Sequence, residues 1–171
     1  MILGLDVNQL LSGLLPSKVN HSDFVLPIIP SATRIVLPDG TCNDNDYTVF
    51  DFSRFTQVES IEIGNDCFES VQTFKIDGLK CLISIKIGNN SFTNKKNGWG
   101  NDESKSFHIL NCESLESIQI GEYSFSDYAG VFELKNLPQL QSIQIGTIGR
   151  YSYNFFYSSF VIRGIELILN N

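Results

Sequence analysis

The sequence is poor in basic residues, histidine, methionine and tryptophan. Its 171 residues include 12 Lys and Arg against 19 Asp and Glu, with two His, one Met and one Trp, and the formal net charge is −7. The shortage of cations argues against nucleic-acid binding and against docking on anionic membranes, because both need clustered positive charge. No apolar run approaches the roughly 18 residues of a membrane-spanning helix. We therefore expect neither a nucleic-acid partner nor insertion into a membrane.

The histidines and cysteines form no recognisable metal or redox motif. No two of the four cysteines are spaced as Cys-x-x-Cys, and neither His21 nor His108 lies at zinc-ligand spacing. We expect no metal site and no cofactor, and we expect the cysteines to be reduced, small residues in or near the core. The oxygen-rich segment 43–46 lacks the glycine and terminal glutamate of an EF-hand and is predicted to be a solvated turn.

The first twenty residues do not share the pattern of the remaining chain. Leucines that follow Asp6 predict a short amphipathic helix at 1–20 that caps the fold. No basic region precedes the apolar residues, which argues against a secretory signal peptide. We expect a cytoplasmic location if Met1 is the true start, and a cell-surface location if the chain is a fragment of a longer surface protein. Asn20 and Asn89 begin glycosylation sequons, which also arise by chance.

A repeated segment of the form apolar-x-Ser-Ile-x-Ile-Gly dominates the chain. It ends at Gly64, Gly88, Gly121 and Gly146, so the spacings are 24, 33 and 25 residues. A phenylalanine fourteen residues before each glycine keeps the same spacings: Phe50, Phe74, Phe107 and Phe132. Two independent landmarks in one frame predict a repeating unit of about 24 residues with insertions.

Each unit is expected to fold as one coil of a solenoid. Alternation in Phe74-x-Ile76 and Ile85-x-Ile87 predicts two short strands per unit, and apolar residues at every third position between them predict a tight turn. Gly and Asn predominate four residues after the phenylalanine, where such a turn needs a positive φ angle. Stacked coils can bury an inner face that one coil cannot. The prediction is a mainly β repeat solenoid, with a parallel β-helix as the alternative.

The array is predicted to cover residues 21–171, as about five coils plus a truncated sixth. The truncated unit predicts an open edge through which chains can self-associate. An insertion at 93–106, rich in Gly, Asn and Lys, should form a surface loop. It contains Trp99, the best single candidate for a contact residue, since tryptophan is a typical interface anchor. The alternative is a tryptophan that folds back over the array.

The repeat resembles the leucine-rich repeat. Leu82–Phe92 matches the pattern L-x-x-L-x-L-x-x-N-x-L, with Asn90 at the asparagine position. Val58–Phe68 and Leu115–Phe125 are close, although Tyr123 replaces the asparagine in the second. The Ser-Phe pair after the glycine resembles the BspA-like (Treponema-type) subclass, which is common in bacterial and protist surface proteins. The resemblance implies a curved solenoid with a parallel sheet on its concave side, generally used to bind proteins or glycans.

Residues between the inward isoleucines should form the outer face of this sheet. Parallel stacking at about 4.8 Å would align them in columns. The candidate binding face comprises Arg34, Glu59, Ser60, Glu62, Ser84, Lys86, Glu116, Ser117, Gln119, Gln141, Ser142 and Gln144. Such a face offers hydrogen bonds over a broad strip. The alternative is a solvated sheet surface whose small serines let the coils stack closely.

The first functional hypothesis is a non-enzymatic module that binds a protein or glycan through this face and the inserted loop. The alternative is a structural segment of a longer array, with no binding role of its own. The serine columns do not suggest catalysis, because His21 precedes the array and His108 begins the other strand. An enzyme that cleaves polysaccharides would need clustered acidic or basic groups on one sheet face. The sequence places only scattered glutamates there.

Overall fold

The structure is a computed structural model that describes residues 32–45, 48–53 and 55–165. The predicted N-terminal cap at 1–20 lies outside these residues. Every regular element in the described part is a β-strand. Within the same residues, the chain contains no helix of the length and apolarity needed to cross a membrane.

Ten short strands build five stacked coils, two strands to a coil. They are β1 (Arg34–Leu37), β2 (Val49–Asp51), β3 (Ser60–Ile63), β4 (Thr73–Asp77), β5 (Ser84–Ile87), β6 (Ser106–Leu110), β7 (Ser117–Ile120), β8 (Val131–Lys135), β9 (Ser142–Ile145) and β10 (Ser159–Arg163). The odd-numbered strands form sheet A and the even-numbered strands form sheet B, in chain order and with parallel pairing. The fold is a β-solenoid of about five turns with about 26 residues per turn. This confirms the predicted repeat solenoid, and its two sheets agree with the parallel β-helix alternative.

Equivalent repeat positions pair across successive coils. One column of sheet A consists of Ile35, Ile61, Ile85, Ile118 and Ile143, and one column of sheet B consists of Phe50, Phe74, Phe107, Phe132 and Phe160. A one-residue slip would turn each isoleucine out to solvent, so burial of this face sets the register. The residues that pair across neighbouring strands are therefore those that the glycine and phenylalanine spacings predict to be equivalent, in both sheets.

Phenylalanine rings fill the core in two interleaved stacks. In the sheet B column, the ring centroids of Phe74 and Phe107 are 4.7 Å apart and nearly parallel. The second stack stands at the corner after sheet A, where Phe92 lies 4.9 Å from Phe68 and 4.8 Å from Phe125. Rings of the two stacks meet edge to face, as Phe92 does with Phe74 at 5.1 Å and 86°. Both geometries are favourable for aromatic pairs, so the rings help to hold the coils in stack.

The fifth coil departs from the repeat pattern, which predicts no core phenylalanine around Ile148. Phe155 fills this place, and it is 2% exposed. The backbone there repeats the previous coil: φ is 50° at Tyr153 and 51° at Phe155, against 61° at Tyr123 and 56° at Phe125. Extra residues between Gly146 and Tyr153 displace this Tyr-x-Phe pair from the position that the repeat spacing predicts.

Turn geometry follows the sequence after sheet B. The positions four residues after the phenylalanine have φ between 54° and 75°: Gly78, Asn111, Asn136 and Gly164. This confirms the predicted turn. The corner after sheet A also needs positive φ, and there bulky residues such as Phe92 adopt it, at 56°. Phenylalanine is unusual in this region, and it is held there because its ring is buried in the core.

Side-chain ladders link the same corner from coil to coil. The Oδ1 atoms of Asp39, Asn65 and Asn89 accept the backbone N–H of the equivalent residue one coil later: Asn65, Asn89 and Glu122. Asn90, which matches the asparagine of the leucine-rich-repeat pattern, is not one of these three acceptors. Asn90 has φ of 53°, and its Oδ1 accepts the backbone N–H of Asn97 in the inserted loop.

All four cysteines are free. Cys67 and Cys112 are buried in the core, and Cys42 packs against it. Burial raises the pKa of the Cys42 thiol to about 12 and that of Cys112 to about 11. Small, reduced core cysteines were predicted from the sequence, and these three fit that description.

Candidate interaction surfaces

The outer face of sheet A carries the polar residues that the repeat predicts. Along β3, β5 and β7 the isoleucines are buried, while the residues between them are half-buried or exposed. The pairings align one column of Arg34, Ser60, Ser84, Ser117 and Ser142, and a second of Glu62, Lys86, Gln119 and Gln144. Glu59, Glu116 and Gln141 lie just before their strands and are exposed. All twelve candidate residues therefore lie along one side of the solenoid.

Charges on this face are largely compensated at its first coils. Glu62 accepts hydrogen bonds from Arg34 at 2.9 Å and from Lys86 at 3.2 Å. These bonds, with that from Arg34 the stronger, hold the pKa of Glu62 below its usual value. Exposed ion pairs of this kind contribute at most about 1 kcal/mol each. The face is mainly polar, with Val36 and Ile83 as exposed apolar residues and without an aromatic anchor.

His108 is the one histidine within the described residues, and it does not lie near the serine column. His108 lies in β6 of sheet B, where its Nδ1 is 3.1 Å from Glu133, so it is on the other sheet from the serines. Across residues 32–45, 48–53 and 55–165, no three His, Cys, Asp or Glu side chains come together in a way that could hold a metal ion. In the 43–46 segment, the Asn43 amide donates to the Asp66 carbonyl at 2.8 Å and ties the turn to the next coil.

The inserted loop spans 93–105, because Ser106 already belongs to β6. It leaves coil three and is fastened to coil four by backbone hydrogen bonds. The N–H groups of Gly100, Asp102 and Ala129 donate to the carbonyls of Ser126, Asp127 and Asp102 at 3.0–3.1 Å. The insertion therefore packs along coil four, which the sequence alone did not predict.

A buried ion pair anchors the end of this loop. The Lys105 Nζ lies 2.7 Å from Oδ2 of Asp127, and the two side chains are only 4% and 3% exposed. The ammonium also lies 5.5 Å from the ring centroid of Tyr128. The other oxygen of Asp127, Oδ1, is buried without a hydrogen-bond partner. Only glycine fits beside it, since a Cβ at Gly100 would lie 2.7 Å from the Asp127 Cβ.

Trp99 lies at the outer end of the loop. Its ring meets Tyr157 of coil five at 5.7 Å and 62°, and 53% of the residue remains exposed. The loop therefore extends across coil four to reach coil five. Trp99 therefore rests on the array through Tyr157, and about half of its surface is still exposed to solvent.

The contact with Tyr157 joins Trp99 to the aromatic segment 151–157 of coil five. Beyond Tyr157, successive ring centroids are 5.0 Å to Phe156, 5.8 Å on to Tyr153 and 6.3 Å on to Tyr151. Tyr151 and Phe156 are largely exposed, at 85% and 59%. We call these five residues the aromatic patch. The sequence singles out Trp99 but carries no signal that it meets residues 151–157.

An open cleft of about 590 Å³ lies beside the same loop. It is lined chiefly by polar residues: Asn94, Asn101, Asp102, Glu103, Ser104 and Asp127. Oδ1 of Asp102 accepts the N–H and the hydroxyl of Ser104, at 3.0 Å and 2.6 Å. Among the described residues, the side chains of Asn94, Asn101 and Glu103 make no hydrogen bond. The cleft therefore presents amide and carboxylate groups that a ligand can use.

No family model, curated protein or solved structure matches this chain at a significant level.

Proposed function

We propose that this chain is a non-enzymatic solenoid module of the leucine-rich-repeat type, which binds a protein or glycan partner. The aromatic patch is the observation that carries the proposal. Exposed apolar groups that cluster on a folded protein mark interaction sites, and tryptophan and tyrosine are the side chains that most often anchor them. Loops held on a rigid scaffold are also where binding residues concentrate.

The patch is a stronger candidate than the face of sheet A. Its rings come from the inserted loop that leaves coil three and from residues 151–157 of coil five, where Phe155 and not the patch rings fills the core. The sheet face carries only the isolated apolar side chains of Val36 and Ile83, with no cluster of rings, and its ion pairs are exposed and weak. In this proposal the sheet face provides secondary polar contacts, and the loop provides the anchor.

A second candidate function is that of a structural segment in a longer array. It is favoured by exposed apolar residues in the last described coil, where Ile143, Phe160 and Ile162 are 40%, 55% and 52% exposed. Their counterparts in the preceding coil, Ile118 among them, are buried. In that role this end of the stack, and not the aromatic patch, would make the essential contact.

Two variants distinguish the roles in affinity capture from an extract of the source organism. The patch variant carries Trp99→Ala, Phe156→Ala and Tyr157→Ala, and the edge variant carries Ile143→Ser and Ile162→Ser. We expect the parent and the edge variant to capture the same partner and the patch variant to lose it. Undiminished capture by the patch variant would refute the proposal. A second result would also refute it: light scattering shows that the parent interacts only with itself, and the edge variant abolishes this self-association.

A further inference from the structure

We infer that the aromatic patch and the adjoining cleft together bind a neutral glycan. This inference rests on the proposed function and names the class of its partner. The two features share one loop, because Trp99 of the patch directly precedes Gly100, which lines the cleft. We therefore assign one ligand to both.

The ring series suits the apolar faces of sugars. From Trp99 to Tyr151, neighbouring centroids are 5.0–6.3 Å apart, and three of the four pairs meet edge to face, so the rings form a contiguous cluster whose faces point in several directions. Aromatic faces carry partial negative charge, and the C–H groups on one side of a pyranose ring carry partial positive charge. A cluster with several exposed faces can contact more than one unit of a sugar chain.

The cleft supplies the groups that sugar hydroxyls need. A hydroxyl both donates and accepts, an amide does the same, and a carboxylate accepts. Asn94, Asn101 and Glu103 have side chains without a protein partner among the described residues, and all three line the cleft. Asp127 lines it as well, with one oxygen held by Lys105 and the other buried without a partner. A donor from the ligand would satisfy that oxygen, which is costly to leave unpaired.

Charge favours a neutral ligand over an ionic one. Asp102, Glu103 and Asp127 line the cleft, and the whole chain carries a net charge of −7, so acidic polysaccharides are repelled. A basic ligand gains little, because Lys105 already neutralises Asp127 and Lys95 offsets one of the two remaining carboxylates of the cleft. What remains is a ligand with many hydroxyl groups and no net charge.

Trp99 is the sole tryptophan of the chain, so its fluorescence reports directly on this site. We would titrate the full chain with neutral hexasaccharides (cello-, laminari-, manno-, malto- and chitohexaose) to about 10 mM, a range that detects millimolar binding. Hexagalacturonate and hexalysine serve as acidic and basic probes. At least one neutral hexasaccharide should change the emission saturably, whereas neither charged probe should do so.

Variants locate the binding. Tyr157→Ala should weaken the affinity about tenfold and Asn101→Ala several-fold, while Ile83→Ala, an exposed apolar residue on sheet A, should leave it unchanged. Equal losses in Ile83→Ala and Tyr157→Ala would overturn the inference. So would the lack of a saturable change with every neutral sugar, or binding of hexalysine alone. If capture then still depends on the patch and yields a protein, the proposed function stands and the glycan does not.

Discussion

Replacing Lys105 with Met should destabilise the solenoid by about 3–5 kcal/mol, because it breaks a buried ion pair at one end. At 2.7 Å and an effective dielectric constant of about 20, the two charges attract by about 6 kcal/mol. That attraction offsets a desolvation cost of several kcal/mol for each ion. Without Lys105, the Asp127 carboxylate stays buried with an unpartnered Oδ1 and a 3.5 Å bond from the Asn94 N–H to Oδ2.

Urea unfolding, followed by Trp99 fluorescence and circular dichroism, measures this loss. Adding Asp127→Leu to Lys105→Met should recover most of it, since a buried pair exchanged for apolar groups is often close to neutral. Lys80→Met is the matched control, because its 3.2 Å pair with Glu113 is exposed and should contribute at most about 1 kcal/mol. The reasoning fails if Lys105→Met costs no more than this control. It fails equally if the double variant is as unstable as the single one.

Three further outcomes follow from the core and its titratable groups. Phe92→Ala should cost about 3–5 kcal/mol in urea unfolding, because it removes a fully buried ring from between Phe68 and Phe125 in the corner stack. Phe160→Ala, at a half-exposed ring, should cost far less, and equal losses would contradict the stacking. Ile118→Asp should unfold the array cooperatively, since it places a charge at a position that is only 2% exposed. Lys86→Glu, on the outer face, should change the melting temperature little. An Ile118→Asp variant that melts like its parent would disprove the repeat frame. Burial raises the pKa of Cys112 from 9.0 to about 11, so the unfolded chain loses the thiol proton first as pH rises, and stability present below pH 9 should fall by about 1 kcal/mol near pH 10. In Cys112→Ala the urea midpoint should fall less steeply between about pH 9 and pH 10. A pH dependence of the midpoint equal to that of the parent would contradict this.

The repeat frame could be predicted from the sequence because it is written in local periodicity. The period of two in Ile85-x-Ile87 fixes which residues point inward, and the Gly or Asn at positions such as Gly78 marks the turn that needs a positive φ angle. Stacking then follows, since no single coil can bury its own inner face. The outward position of Ser84 and Lys86 followed from the same alternation.

The interaction surface could not be predicted in this way, because insertions carry no periodic signal. The path of the loop across coil four depends on Gly100 fitting against Asp127 and on the pair between Asp127 and Lys105, and neither contact repeats elsewhere. The meeting of Trp99 with Tyr157 depends on that path. The side-chain ladder also carries no signal in the repeat frame: Asn89 bonds to the neighbouring coil, whereas the next residue, Asn90, bonds to the inserted loop.

The contact between the inserted loop and the 151–157 segment is tested most directly by the fluorescence of Trp99. It is compared in the parent, in Tyr157→Ala and in Tyr151→Ala. In the structure Trp99 packs on Tyr157, while Tyr151 joins the patch only through Tyr153. Tyr157→Ala should therefore shift the emission to longer wavelength and increase quenching by acrylamide, and Tyr151→Ala should leave both nearly as in the parent. If Tyr157→Ala has the same emission maximum and quenching constant as the parent, the inserted loop does not meet the 151–157 segment and the proposed surface does not exist.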